Sequence, residues 1–150
     1  MEKIDIHSAS EHERDMASQL LASSEPWITL KITPEQCDKN CHDPEFMLYI
    51  ASVDNKPGGI ILLDPRGVAG SPYIKSIAVF PEFRGQGLGK KLLSFAENYF
   101  STGSRHLFIC VSSFNGKARK LYERYGFEPL CEFRDYIIEG ASEILMHKGI

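Results

Sequence analysis

No apolar run in the 150 residues approaches the roughly 20 needed to cross a bilayer. The start, Met1-Glu2-Lys3-Ile4-Asp5, carries acids and lacks the apolar segment of a secretory signal. The expectation is a cytoplasmic protein with no membrane partner. A disulfide framework is not evident either: Cys37, Cys41, Cys110 and Cys131 are the only cysteines, and a chain of this length can hold its fold by core burial alone. Cys37, Cys41 and His42 cluster in sequence but lack a second ligand pair at finger-like spacing. Cys37 and Cys41 fall one helical turn apart, as core positions do, so no metal is expected. Excess positive charge is also missing. A net charge of −3 argues against a nucleic-acid binder, which needs a broad basic face. Without repeats, low-complexity segments or long linkers, residues 1–150 read as a single domain.

What charge there is lies unevenly. Arg84, Lys90, Lys91, Arg105, Lys117, Arg119 and Lys120 crowd the region after residue 80, and the acids Glu25, Asp43, Glu45, Asp135, Glu139 and Glu143 lie outside that group. The division points to an anionic ligand on one side and a cationic one on the other.

Hydrophobic periodicity predicts a strand over 3–7 and a helix to about Ser23, capped by Ser8 or Ser10, with Met16, Leu20 and Leu21 inward. Thr33-Pro34 starts a second helix that ends near His42. Strands follow at 46–53, 59–63 and 73–80, then a helix over 87–100 with Leu88, Leu92, Phe95, Ala96 and Tyr99 inward. A strand at 105–111, a helix at 115–125 and two strands at 127–138 and 142–146, turning at 139–141, complete the chain. This order, βααβββαβαββ, describes a mixed α/β domain around one twisted central sheet.

Between the strand ending at Phe80 and the following helix runs Arg84-Gly85-Gln86-Gly87-Leu88-Gly89-Lys90-Lys91. Glycine allows positive φ and close ligand approach, and free N–H groups in a helix's first turn attract an anion. A helix stabilised for its own sake carries acids first and bases last. Here Arg84, Lys90 and Lys91 come first and Glu97 comes late, an inversion that a bound diphosphate would make favourable. The competing reading is a flexible loop with a solvated basic rim. The P-loop pattern fails, because Arg84 stands where it needs Gly and Lys91 where it needs Ser or Thr. The dinucleotide fingerprint fails too, since the glycines run G-x-G-x-G and no acid lies about 20 residues on.

Arg84-Gly85-Gln86-Gly87-Leu88-Gly89 resembles the R/Q-x-x-G-x-G/A motif of the GCN5-related N-acetyltransferases (GNAT), and Ile77-Ala78-Val79-Phe80-Pro81 resembles that family's fourth strand. Asn115 through Phe127, with Ala118, Leu121, Tyr122 and Gly126, is similar to its N-x-x-A-x-x-L-Y-x-x-x-G-F signature. The match is firm over about residues 71–130 and only one of layout before that. The resemblance implies a GNAT fold whose sheet splays after the fourth strand, with acetyl-CoA as cosubstrate. It implies that Ile77, Ala78 and Val79 pair with the pantetheine arm, and that Arg84, Gly85, Gln86, Gly87, Leu88, Gly89, Lys90, Asn115, Lys117 and Tyr122 contact the cofactor. A primary amine would attack the thioester directly, giving a tetrahedral oxyanion polarised by the Val79 N–H and then a thiolate protonated by Tyr122.

Plainer roles compete with these. Asn115 can serve as a helix cap, Tyr122 can pack on the helix's inner face, Gly126 can be a C-cap, and Lys117 and Arg119 can be solvated. Relatives that acetylate ribosomal protein N-termini often carry a basic Glu five residues before the Asn; this chain has Cys110, which reads as a core thiol. Glu25 is then the candidate base and Tyr136 a candidate lining residue, each with an ordinary surface or core role as the alternative. A small-molecule or peptide amine is the expected partner, and a homodimer is among the expectations because dimers are common in the family. A non-catalytic acyl-CoA binding or sensing domain is the alternative reading.

Overall fold

Local sequence signals set the helix boundaries. The computed structural model describes residues 2–150, and in it Ser10, rather than Ser8, caps α1 (Glu11–Ala22) through a capping box with Glu13. Thr33 and Gln36 form the same device ahead of α2 (Pro34–His42). Cys37 and Cys41 are buried on the inner side of α2. His42 turns outward to Asp15 of α1 at 2.8 Å, tying the two helices together.

The strands are β1 (Ile4–Ser8), β2 (Met47–Val53), β3 (Lys56–Val68), β4 (Ser71–Val79), β5 (His106–Ser112), β6 (Glu128–Phe133) and β7 (Glu143–Gly149), with α3 (Leu88–Phe100) after β4 and α4 (Gly116–Tyr125) after β5. They form one sheet in the order β1-β2-β3-β4-β5-β7-β6. Every pairing is antiparallel except that of β4 with β5. The expected element order is the observed one, and no helix among the described residues is long and apolar enough to cross a membrane.

Each face of the sheet carries its own core. On one side Leu88, Leu92, Leu93, Ala96 and Phe100 of α3 join Tyr122 of α4 over Ile61, Leu63, Ile74 and Ile109. On the other, Ala17, Leu20, Leu21, Cys37 and Cys41 cover Leu48, Ile50, Ile60, Leu62 and Ala78. Because β2, β3 and β4 are covered on both faces, β3 reads as an unbroken buried run from Gly58 to Leu63. Gly58 and Gly59 have a packing reason to lack side chains: a Cβ there would lie 2.9 Å from Leu88 and 3.1 Å from Leu92, respectively. The start of α3 is thereby seated directly on the sheet.

Two expectations need correction. Tyr99, expected inward, is exposed, whereas Leu93 and Phe100 are buried. The four-residue spacing of Leu88, Leu92, Ala96 and Phe100 forms the core stripe, and Tyr99 instead joins Phe95 and Tyr49 in an aromatic group at its edge. The strand expected over 127–138 ends at Phe133. Asp135 takes a positive φ of 48° and its carboxylate accepts a 2.7 Å hydrogen bond from the Gly140 N–H, so 134–142 closes into a loop despite the strand-prone Tyr136-Ile137-Ile138.

Leu92 is fully buried between α3 and β3. Leu92→Ala should lower unfolding free energy by about 2–5 kcal/mol through lost transfer energy and a residual cavity, as measured by urea denaturation.

Candidate functional site

β4 and β5 pair only at Tyr73↔Phe108 and Ile74↔Ile109. Lys75 is an extra residue in the ladder with β3, since Leu62 faces Ser76 while Leu63 faces Ile74. Such a bulge bends its strand and re-aims the residues beyond it. Past the bulge β4 stays with β3, β5 stays with β7 as far as Ser112↔Glu143, and the two strands part. The gap opens a cleft of about 1050 Å³ between residues 75–79 and 110–112. The sheet does splay after the fourth strand. Along the split, β4 presents backbone groups with no strand partner. The Phe80 N–H donates to Gly58 of β3, and backbone groups alternate in direction along a strand, so the Val79 N–H points into the split.

At one end of the cleft the chain turns through Pro81–Phe83 into the glycine loop. Gly85 and Gly87 adopt φ of 75° and 84°, and a Cβ at either would meet nothing within 4 Å. Their bare backbone faces open space. Gly87 sits at the N-cap of α3 with no side-chain cap, and the first turn of that helix contains no acid. Uncapped N–H groups therefore point out of the helix where Lys90, and Lys117 from the start of α4, line the same cleft. That donor set fits a diphosphate. Gly89 has a different role: a Cβ there would lie 3.0 Å from Leu121, so the glycine lets α3 pack on α4.

All the sequence-predicted contact residues line this one cleft except Gln86. The Gln86 side-chain amide turns back to donate to the Glu82 carbonyl at 3.1 Å. Arg84 lines the cleft, but its guanidinium is already engaged, donating to the Val79 carbonyl at 2.9 Å and to the Ser24 hydroxyl at 3.3 Å. It braces the end of β4 against the segment after α1 and is not held out toward a phosphate.

Tyr122, on α4, is 6% exposed and lines the cleft floor. Burial pushes its phenol pKa well up, so the hydroxyl stays protonated throughout the physiological range. Asn115 stands at the N-cap of α4 without making the capping bond. Of its two possible roles, capping is not the one taken, and its side chain is left to the cleft it lines. Cys110 also faces the cleft, and burial raises its thiol pKa while Tyr73 beside it opposes that rise. It is a poor base, as its sequence position suggested.

The far end of the cleft is bordered by Trp27 and Ile28 from the segment between α1 and α2, and by Tyr136 and Ile137 from the loop before β7. Glu25 is there too, but its carboxylate accepts from the Thr29 N–H at 2.9 Å and from the Thr29 hydroxyl at 2.5 Å. Those bonds pull its pKa below the ordinary carboxylate value and make it a weak proton acceptor. A different acid occupies the cleft wall: Glu143, the first residue of β7, is buried and accepts a 2.6 Å hydrogen bond from Ser112. Sequence reasoning placed Glu143 only among the scattered acids. The available signal was an acid opening the apolar run Ile144-Leu145-Met146.

A mixed sheet split lies beside an uncapped helix terminus, and both open into one cleft. Residues 10–127 match the acetyltransferase (GNAT) family, and the chain belongs to that family. Over 102 residues it is 33% identical to an uncharacterized N-acetyltransferase of Methanocaldococcus jannaschii, covering 67% of this chain and 64% of that protein. The chain thus spans just under two thirds of that relative. Among solved structures, the ribosomal-protein-S18-alanine N-acetyltransferase of Escherichia coli aligns with a TM-score of 0.79 at 22% identity, over 99% of this chain and 94% of its own. A GNAT acetyltransferase of Elizabethkingia anophelis with acetyl-CoA bound aligns with a TM-score of 0.77 at 22% identity, over 98% of each chain. These two likenesses establish the shared fold.

Gly87→Ala forces an L side chain into left-handed backbone geometry. It should destabilise the protein by about 1–2 kcal/mol, read as a lowered denaturation midpoint, even though the added methyl meets no neighbour.

Proposed function

We propose that the protein moves the acetyl group of acetyl-CoA to a primary amine by direct attack through a tetrahedral intermediate. One observation carries this reading: the uncapped start of α3, the unpaired edge of β4 and the buried Tyr122 all open into a single cleft. Membership of the family and an acetyl-CoA-bound structural neighbour support it.

When bound, acetyl-CoA supplies an activated thioester; the rest of the chemistry falls to this chain. The N–H groups at Gly85, Gly87, Leu88 and Gly89, with Lys90 and Lys117, hold the diphosphate. Ile77, Ala78 and Val79 offer the open strand edge to the amide-bearing arm, much as a sheet accepts a further strand. The Val79 N–H, aimed into the split, polarises the reacting carbonyl as an oxyanion-hole donor. Arg84 fixes the position of that N–H indirectly by holding the Val79 carbonyl. Asn115 contributes its uncapped side chain to the cofactor side of the floor. Tyr122 donates to the departing sulfur, a role its high phenol pKa allows because the donor is always protonated.

The amine approaches from the opposite end, past Trp27, Ile28, Tyr136 and Ile137. This rim is more apolar than acidic, which favours an acceptor with one ammonium group beside a hydrophobic portion over a polycation.

Release of free thiol from acetyl-CoA across a panel of arylalkylamines, polyamines, amino acids and short peptides tests the reading. Tyr122→Phe should reduce kcat with the best amine by about 10²–10⁴-fold and leave acetyl-CoA affinity unchanged. Unaltered turnover in that variant would remove Tyr122 from the acid role. Tight acetyl-CoA binding with no thiol release from any amine would favour the binding or sensing module.

A further inference from the structure

Glu143 begins β7 on the cleft side of the sheet, directly opposite Ser112 of β5 and Phe133 of β6. It is 8% exposed, and its oxygen Oε2 accepts the 2.6 Å bond from the Ser112 hydroxyl. No protein donor reaches Oε1. Among the described residues, however, no fully buried side-chain oxygen is left without a partner, so Oε1 keeps access to the cleft that Glu143 lines.

A carboxylate taken this far from water normally has a cation beside it, and Glu143 has none. Among the described residues it forms no salt bridge, and the ionisable groups that interact with it are the neutral Tyr73 on β4 and Cys110 on β5. The cationic side chains of the cleft are occupied or distant in role. The Lys75 ammonium lies over the Phe46 ring at 4.9 Å, Arg84 holds Val79 and Ser24, and Lys90 and Lys117 belong to the helix termini. Tyr73, Tyr122 and Glu143 all line the same cleft. Burial raises the Glu143 pKa above the ordinary carboxylate value, against the opposing Ser112 bond.

We infer that Glu143 is the carboxylate that receives the acceptor ammonium and takes its proton, with Ser112 holding the carboxylate in place. The inference rests on the acetyltransferase reading above and fills the role that neither Cys110 nor Glu25 can. An ammonium nitrogen has no lone pair to attack with, so one proton must leave before the N–C bond forms. Glu143 Oε1 takes that proton. The nitrogen lone pair then bonds to the carbonyl carbon, the C–S bond breaks with its electron pair on sulfur, and Tyr122 protonates the sulfur. The nitrogen's second proton restores Tyr122, and the first passes from Glu143 to solvent, so the reaction releases one proton overall.

The apolar rim makes 2-phenylethylamine a suitable probe. Glu143→Gln should lower kcat/KM for it at pH 7 by about 10²-fold with acetyl-CoA affinity unchanged, and the deficit should shrink as pH rises toward the amine's own pKa and more of it arrives neutral. Glu143→Asp, which keeps the base but shortens its reach, should fall between the two while retaining the wild-type pH profile. Thermal stability separates this role from a structural one. A carboxyl whose folded pKa is raised contributes stability below its unfolded pKa and loses that contribution as pH rises through the folded value. A wild type ionised at Glu143 bears a buried charge that Gln lacks, so Glu143→Gln should melt at or above the wild-type temperature at pH 8 and show no such advantage at pH 4.

An equal loss at every pH, a loss smaller than about threefold, or a lowered melting temperature at pH 8 would overturn the assignment. If the wild type acetylates the probe and the Gln variant matches it, the enzyme reading stands and only Glu143 is displaced. A wild type that binds acetyl-CoA but neither binds nor acetylates any amine overturns both.

Discussion

Where β4 and β5 part beyond Ile74 and Ile109, the sheet gives up a ladder that the remaining length of both strands could have continued. Backbone N–H and C=O groups left without partners must find water or a ligand, so the gap persists only because other interactions hold the strands on either side of it. β3 secures β4 through a long antiparallel register, and β7 secures β5 along its whole length. Both faces of β3 are sealed by separate hydrophobic cores. The Lys75 bulge supplies the bend. This one break gives rise to the cleft, the free Val79 N–H and the two chemically different ends of the cleft.

Electrostatics then gives each end its character. At one end positive φ at Gly85 and Gly87 exposes backbone donors, and the partial positive charge of α3 is reinforced by lysines where a self-stabilising helix would place acids. On the cleft wall, Glu143 is buried among neutral groups. Neither arrangement is favourable for the isolated fold. Each would become favourable with a ligand of opposite charge, as the proposed function requires. Arg84 links the halves by bonding the end of β4 to Ser24 in the segment after α1.

How much of this was legible from the chain depended on how local each device is. The capping boxes at Ser10 and Thr33 span three residues and specify their helix starts unaided. The glycine loop lies within eight consecutive residues, so its bare backbone and uncapped helix start could be read from spacing and charge order. The roles inside it could not. That Gln86 folds back on Glu82, that Arg84 reaches Val79, and that Gly89 serves Leu121 of another helix depend on where the following elements come to rest. The stretch after Phe133 misled for a related reason: strand propensity is weak evidence, and the bond from Gly140 to Asp135 outweighed it.

Hydrophobic periods of two and near four determined the element order, because side-chain direction repeats with the backbone geometry of each element. Spacing and charge order located the proposed anion site as well, since it would be built from one contiguous turn and helix start. The position proposed for the base was decided by tertiary structure alone. Ser112 and Glu143 are 31 residues apart and meet because β7 inserts between β5 and β6. Glu143, unlike Glu25, is withdrawn from water with one oxygen still open to the cleft, and burial of that kind is a property of the packed sheet that no local pattern encodes.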